Sequence, residues 1–123
     1  MAQQPAGGFR VQRVYDPPED SDGARVLVDR LWPRGISKQQ ARIDEWAKNV
    51  TPSNELRRWF HADPQSREAE FRDCYLAELA ADEAQRGLAR LRELVAGGRV
   101  TLVTAVRDPA HSHVSILLEL LGR

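Results

Sequence analysis

Two short stretches of the 123-residue chain carry the residue types that chemistry needs. The first, VLVDRLWPRG at 26–35, runs an apolar segment straight into Asp29, Arg30, Trp32 and Arg34; the second, RDPAHSH at 107–113, holds Arg107, Asp108, His111 and His113. A guanidinium presents forked donors that match phosphate or carboxylate oxygens, and an imidazole gives and takes a proton near neutrality. Together they point to an anionic small molecule, a phosphate ester or nucleotide-like compound, with Arg30, Trp32, Arg34, Arg107 and His111 as ligand contacts. If a reaction follows, hydrolysis or group transfer is the simplest: Arg30 and Arg34 clamp charge, His113 acts as acid or base, and Asp29 orients an arginine. No covalent nucleophile can be named, and the residues leave open whether the protein is an enzyme and whether it needs a cofactor.

Each residue also has a plainer use. Asp29 and an arginine could simply pair to hold the loop, Asp108 before Pro109 is a helix N-cap signal, and a loop histidine such as His111 is often only solvated. The Asp and His residues together invite a metal, but their spacing is not that of a metal motif and none is assigned. Cys74, in the middle of a helical stretch, has no activating base near it in sequence and reads as inert.

For the two stretches to act together, the elements carrying them must lie side by side. Phe9 to Tyr15 alternates apolar and polar residues and reads as a strand, followed by a turn-rich loop, DPPEDSDG. Val26 to Leu31 is apolar on both faces, as in a strand covered on two sides, and Gly35 turns the chain after it. Val100 to Val106 is the third strand. The long middle of the chain is helical. A capping box of Ser37 and Gln40 opens a helix carrying Ile43, Trp46, Ala47 and Val50, and Thr51 with Pro52 opens a second with Leu56, Trp59 and Phe60 inward. Asp63 and Pro64 start a third with Phe71, Tyr75, Leu76 and Leu79 on its stripe. Asp82 and Gln85 cap a fourth, with Ala84, Leu88, Leu91 and Val95, which ends at a left-handed Gly97–Gly98 cap. Val114, Leu117, Leu118 and Leu121 mark a last amphipathic helix. Trp46 and Tyr75 are expected in the core.

These elements predict an α/β fold: a single small domain over 9–123, a three-stranded, mostly parallel sheet with about five helices packed around it, behind a flexible tail at 1–8. The second and third strands, joined through helices, should be parallel neighbours with a right-handed crossover, which places their carboxyl ends together. Ligands of open α/β sheets bind beyond such ends. The direction of the first strand stays open; if parallel, Tyr15 and Asp16 join the same edge.

Composition narrows the partners. Hydrophobic residues at 41% and charged ones at 29% are ordinary for a globular domain, and eighteen basic against eighteen acidic residues leave zero net charge. That balance disfavours nucleic acid and anionic membranes as main partners, and the second and third helices lack the basic stripe of a DNA reader. A lone cysteine excludes an internal disulfide, and no leader or long apolar run is visible, so the cytoplasm is the expected compartment. Oligomeric state is not legible. The competing reading is a non-catalytic interaction or regulatory module, with the charged residues paired internally and an apolar patch elsewhere.

RVLVDRLWPRGISK at 25–38, TPSNELRRWF at 51–60, EFRDCYLAEL at 70–79 and VTLVTAVRDPAHSHVSILLELL at 100–121 resemble the domain of unknown function 488 family in its YeaO-like branch, a bacterial and archaeal group. The resemblance spans nearly the whole ordered chain. It implies a fold and motif positions and supplies no activity. Some members carry a C-H-R signature near the start of the last helix; here that stretch reads His111, Ser112, His113, so chemistry built on a thiol there does not carry over.

Overall fold

The computed structural model describes residues 8–122. Most of the expected tail therefore lies outside the described residues, and Gly8, its last member, already opens a strand. Strands β1 (Gly8–Arg13), β2 (Ala24–Leu27), β3 (Glu45–Trp46) and β4 (Arg99–Thr104) form one sheet in the order β1-β4-β2-β3, with every pairing parallel. The α/β class and the adjacency of β2 and β4 are as the sequence implies. The sheet has four strands rather than three, and β1 runs parallel to the others. Five α-helices accompany it among the described residues: α1 (Lys38–Ala41), α2 (Asn54–Ala62), α3 (Pro64–Leu79), α4 (Asp82–Ala96) and α5 (His113–Leu121).

The additional strand replaces the helix expected from Ser37 onward. The capping box forms, Ser37 Oγ accepting from Gln40 N–H at 3.1 Å and Gln40 Oε1 from Ser37 N–H at 2.9 Å, but α1 lasts four residues. Arg42, at φ 52°, turns the chain in a left-handed cap. Asp44 then docks on β2: its N–H donates to Arg25 O at 2.8 Å and its carboxylate accepts from Arg25 N–H at 2.8 Å. Main-chain pairing with an open sheet edge outweighs the weak propensity of a short helix. Trp46, expected in the core, consequently lies 38% exposed on that edge.

Successive strand residues point to opposite faces, and the two faces differ. Val26, Val28, Val100 and Leu102 join Leu56, Phe71, Tyr75, Leu79, Leu88, Leu91 and Leu117 in the main core, with Phe9 and Val11 packed against it. Tyr75 is fully buried, as expected, and its hydroxyl donates to Val50 O at 2.5 Å. The other face is thinner. Val103, Val14 and Ala41 form a small cluster edged by Trp32, Ile36, Ile43 and Ala105, and Leu27 is fully buried on the same face beside the polar Arg25, Gln12 and Thr101. There Arg25 donates to Ala41 O (2.9 and 3.0 Å), Gln12 Oε1 (2.8 Å) and buried Asp22 (2.6 Å), while Thr101 Oγ1 donates to Asp22 O at 2.7 Å. Burial alone would raise the Asp22 pKa, but the Glu19 amide and the Arg25 and Arg10 guanidiniums outweigh it and hold the carboxyl below its usual range.

Several element ends move from their expected places. β2 stops at Leu27 in the ladder, Val28 adds one further bond to Val103 O at 3.0 Å, and Leu31 is 58% exposed. β4 ends at Thr104. The cap of α2 is Ser53, not Thr51: Ser53 Oγ accepts from Leu56 N–H at 3.1 Å, and Glu78 grips Ser53 through both its N–H and its hydroxyl. Thr51 Oγ1 donates to Lys48 O instead. Asp82 is the first residue of α4 rather than its cap, and Gln85 reaches back to Leu79 O. Gly97 keeps right-handed torsions, and the positive φ falls at Gly98.

Candidate functional site

A fully parallel sheet puts all its carboxyl ends on one side, and there a cleft of about 700 Å³ opens. Asp29, Arg30, Trp32 and Arg34 from the end of β2, and Arg107, Asp108, His111 and His113 from the end of β4, all line it. Arg57 and His61 of α2 and Tyr15 beyond β1 complete its polar wall. The two stretches distant in sequence do meet in space.

Asp29 does not orient an arginine, nor does it pair with one to hold the loop. Its carboxylate accepts from Thr104 Oγ1 at 2.6 Å and from Ala105 N–H at 2.7 Å, fastening β2 to β4 where the ladder ends. Arg30 is held by carbonyls instead, Nε donating to Pro52 O at 3.2 Å and Nη2 to Thr51 O at 3.1 Å. Those neutral partners leave its positive charge uncompensated. Arg34 and Arg107 are exposed on the rim. The Arg34 carbonyl accepts from the Tyr15 hydroxyl at 3.1 Å, which pins the turn.

His113 is the first residue of α5, as its place in the sequence implies, with Ser112 as N-cap accepting from Val114 N–H. Its ring is nearly buried, and Nε2 stands 2.6 Å from Val28 O and 3.7 Å from Asp29 Oδ1. A carbonyl only accepts, so Nε2 carries the proton. Burial drives the His113 pKa below its ordinary value, opposed by the Val28 bond and Asp29 and reinforced by Arg57 and His61. The imidazole is therefore neutral at neutral pH. Only Nδ1 is left to meet a ligand, which narrows the acid–base role expected of this residue. His111 is exposed and bonded through Nδ1 to Asp108 at 2.8 Å, and that bond raises its pKa. Asp108 caps the short turn Pro109–His111, but its carboxylate serves His111 rather than a backbone N–H.

Trp32 Nε1 donates to Ile36 O at 2.7 Å and its ring meets Trp46 edge-to-face at 5.5 Å. Trp46 in turn donates to Asp29 O at 2.7 Å, so this exposed tryptophan braces the loop. Sequence reasoning missed that role, along with Arg57 and His61. A signal for the latter pair existed: four residues apart on one helix, they share a face. Among the described residues no group of three or more His, Cys, Asp and Glu is placed to hold a metal. Cys74 is exposed on α3 and does not line the cleft.

The fold and this edge define a small α/β protein with an arginine-lined cleft at the carboxyl ends of a parallel sheet. The chain belongs to the family described as the Inactive DUF488-N3 subclade, whose profile matches residues 8–123. It is similar to the uncharacterized protein Rv3073c of Mycobacterium tuberculosis, 48% identical over 113 residues that cover 92% of each chain. It is also similar to the uncharacterized protein YeaO of Escherichia coli, 47% identical over 113 residues covering 92% of this chain and 96% of that one. No solved structure matches it significantly.

Proposed function

We propose that the protein binds an anionic small molecule, a phosphate ester or similar compound, in the cleft at the carboxyl edge of its sheet, and that binding rather than turnover is its role. One observation carries this: Arg30, Arg34, Arg57 and Arg107 line one cleft with only two carboxylates, Asp29 and Asp108, both already engaged by other groups. A chain of zero net charge thus concentrates positive charge on one concave surface, and α5 adds the N-terminal end of its dipole there. Against catalysis stand the absence of a thiol from the cleft lining and the engagement of Ser112 Oγ with Val114 N–H and Pro109 O. The family's description as an inactive subclade agrees with this reading.

A non-catalytic protein-interaction module would draw on the exposed apolar residues Tyr15, Leu31, Trp46 and Leu120, of which the two most exposed, Tyr15 and Leu31, stand on the rim of the same cleft. No helix among the described residues is long and apolar enough to cross a membrane, and the free Cys74 suits a reducing cytoplasm. The test is thermal melting with millimolar phosphate esters: a ligand that binds the folded state raises Tm by mass action. Arg34→Ala, at an exposed position, is expected to abolish the shift while leaving the ligand-free Tm within about 2 °C, the small cost of a surface change. No shift for the native protein with any anion refutes the proposal.

A further inference from the structure

We propose that a second hollow beside the cleft is a subsite for a flat heteroaromatic ring joined to the bound anion, so that the complete ligand has the form of a nucleoside monophosphate. The inference rests on the anion-binding reading above. A single phosphate occupies a small fraction of a cleft of about 700 Å³, a size typical of sites for much larger ligands. Next to it lies a hollow of about 300 Å³, and Phe60, Phe71, His111 and Ser112 line both, so one ligand can extend from the first into the second.

The second hollow differs in chemistry from the first. Phe60 and Phe71 stack at 4.2 Å, and Ala69, Ala110 and Ile116 add small or apolar walls that leave room for a flat ring. It is lined by one carboxylate, Glu68, and one guanidinium, Arg72, the latter already paired with Glu119. An anion gains nothing there that the four cleft arginines do not offer better. A ring whose edge carries both donors and acceptors is matched by the Glu68 carboxylate, the Arg72 guanidinium and the lone pairs of Ser115 Oγ, whose proton goes to Ser112 O at 2.9 Å. A purely hydrocarbon ring would gain nothing from the Glu68 carboxylate.

Isothermal titration of the native protein with AMP, ribose 5-phosphate and adenosine separates the two subsites. AMP is expected to bind at least tenfold more tightly than ribose 5-phosphate. Ala69→Trp, at an exposed position of α3, places an indole in the second hollow and is expected to erase that advantage while leaving ribose 5-phosphate binding unchanged. Ala110→Trp, on the neighbouring turn, does the same from another wall and stands in if the first variant does not fold. Equal affinity for AMP and ribose 5-phosphate overturns the ring subsite and leaves the anion reading standing. An advantage of AMP that survives both tryptophan variants places the ring elsewhere and overturns the assignment. Adenosine binding as tightly as AMP, or no binding of either phosphate, overturns the anion reading itself.

Discussion

Removing the Asp29 carboxylate tests whether the end of the sheet is tied together as described. The group accepts two short hydrogen bonds, from Thr104 Oγ1 and Ala105 N–H, and its side chain is 13% exposed. A hydrogen bond to a charged group contributes about 1.5–3 kcal/mol, so Asp29→Ala forfeits about 3–6 kcal/mol before solvent is counted. Because the residue lines the cleft, water reaches the orphaned Ala105 N–H, and the lower end, about 3 kcal/mol, is expected. A domain of this size has an unfolding entropy near 0.26 kcal/mol/K by the per-residue average, so Tm should fall by about 12 °C. Asp29→Asn keeps an acceptor for Ala105 N–H but sets its amide against Thr104 Oγ1, which already accepts from Val106 N–H at 3.2 Å. About half the loss is expected there. Thermal and urea unfolding followed by circular dichroism measure both variants. An alanine variant that loses less than about 1 kcal/mol, or an asparagine variant worse than alanine, would show that these bonds do not fasten β2 to β4.

Two further outcomes follow from the fold. A Cβ on Gly23, at φ 67°, would lie 2.1 Å from Arg99 O, so Gly23→Ala should cost more than about 3 kcal/mol by urea unfolding, whereas Gly35→Ala, at φ 76° with nothing within 4 Å, should cost only about 1 kcal/mol for the left-handed torsion. His113 and Asp22 both have folded pKa values below their unfolded ones, so each contributes stability that is complete above the unfolded pKa and lost as pH falls. Stability measured against pH should therefore begin to decline just below about 6.5 and again below about 4; a His113→Gln variant that still shows the first decline would exclude His113 as its source.

The helices α2 to α5 were legible because their apolar stripes recur at helical spacing and their Pro and Ser signals stand near the ends. β3 was not, because Ile43, Trp46, Ala47 and Val50 fit a helical stripe equally well and a two-residue edge strand has no period of its own. What decides it is Asp44 and Ala47 donating to β2 carbonyls, an arrangement no local pattern displays. The candidate site divides along the same line. That Arg34 and His113 would share a cleft followed from parallel connectivity, which sequence does encode through the length of the helical crossover. That Asp29 would take Thr104 and Ala105 rather than Arg30, and that Arg30 would lean on the Thr51 and Pro52 carbonyls, depends on three backbone groups of a kind every residue carries and on one hydroxyl, Thr104 Oγ1, that only the strand register sets beside Asp29.

The place of β4 has a consequence for how the molecule comes into being. Of the four strands it emerges last from the ribosome, yet it is the one that β1 and β2 both flank, and the Arg13 side chain that reaches Val106 O closes a span of 93 residues. Until residues 99–104 are synthesised, β1 lacks the strand it pairs with and β2 has only the two-residue β3 beside it. Helices α2 to α4 can form locally in that interval, so the nascent chain is a helical body waiting for its sheet. Assembly then becomes a single late insertion, and a message cut short before that point yields a product for proteases rather than a smaller domain.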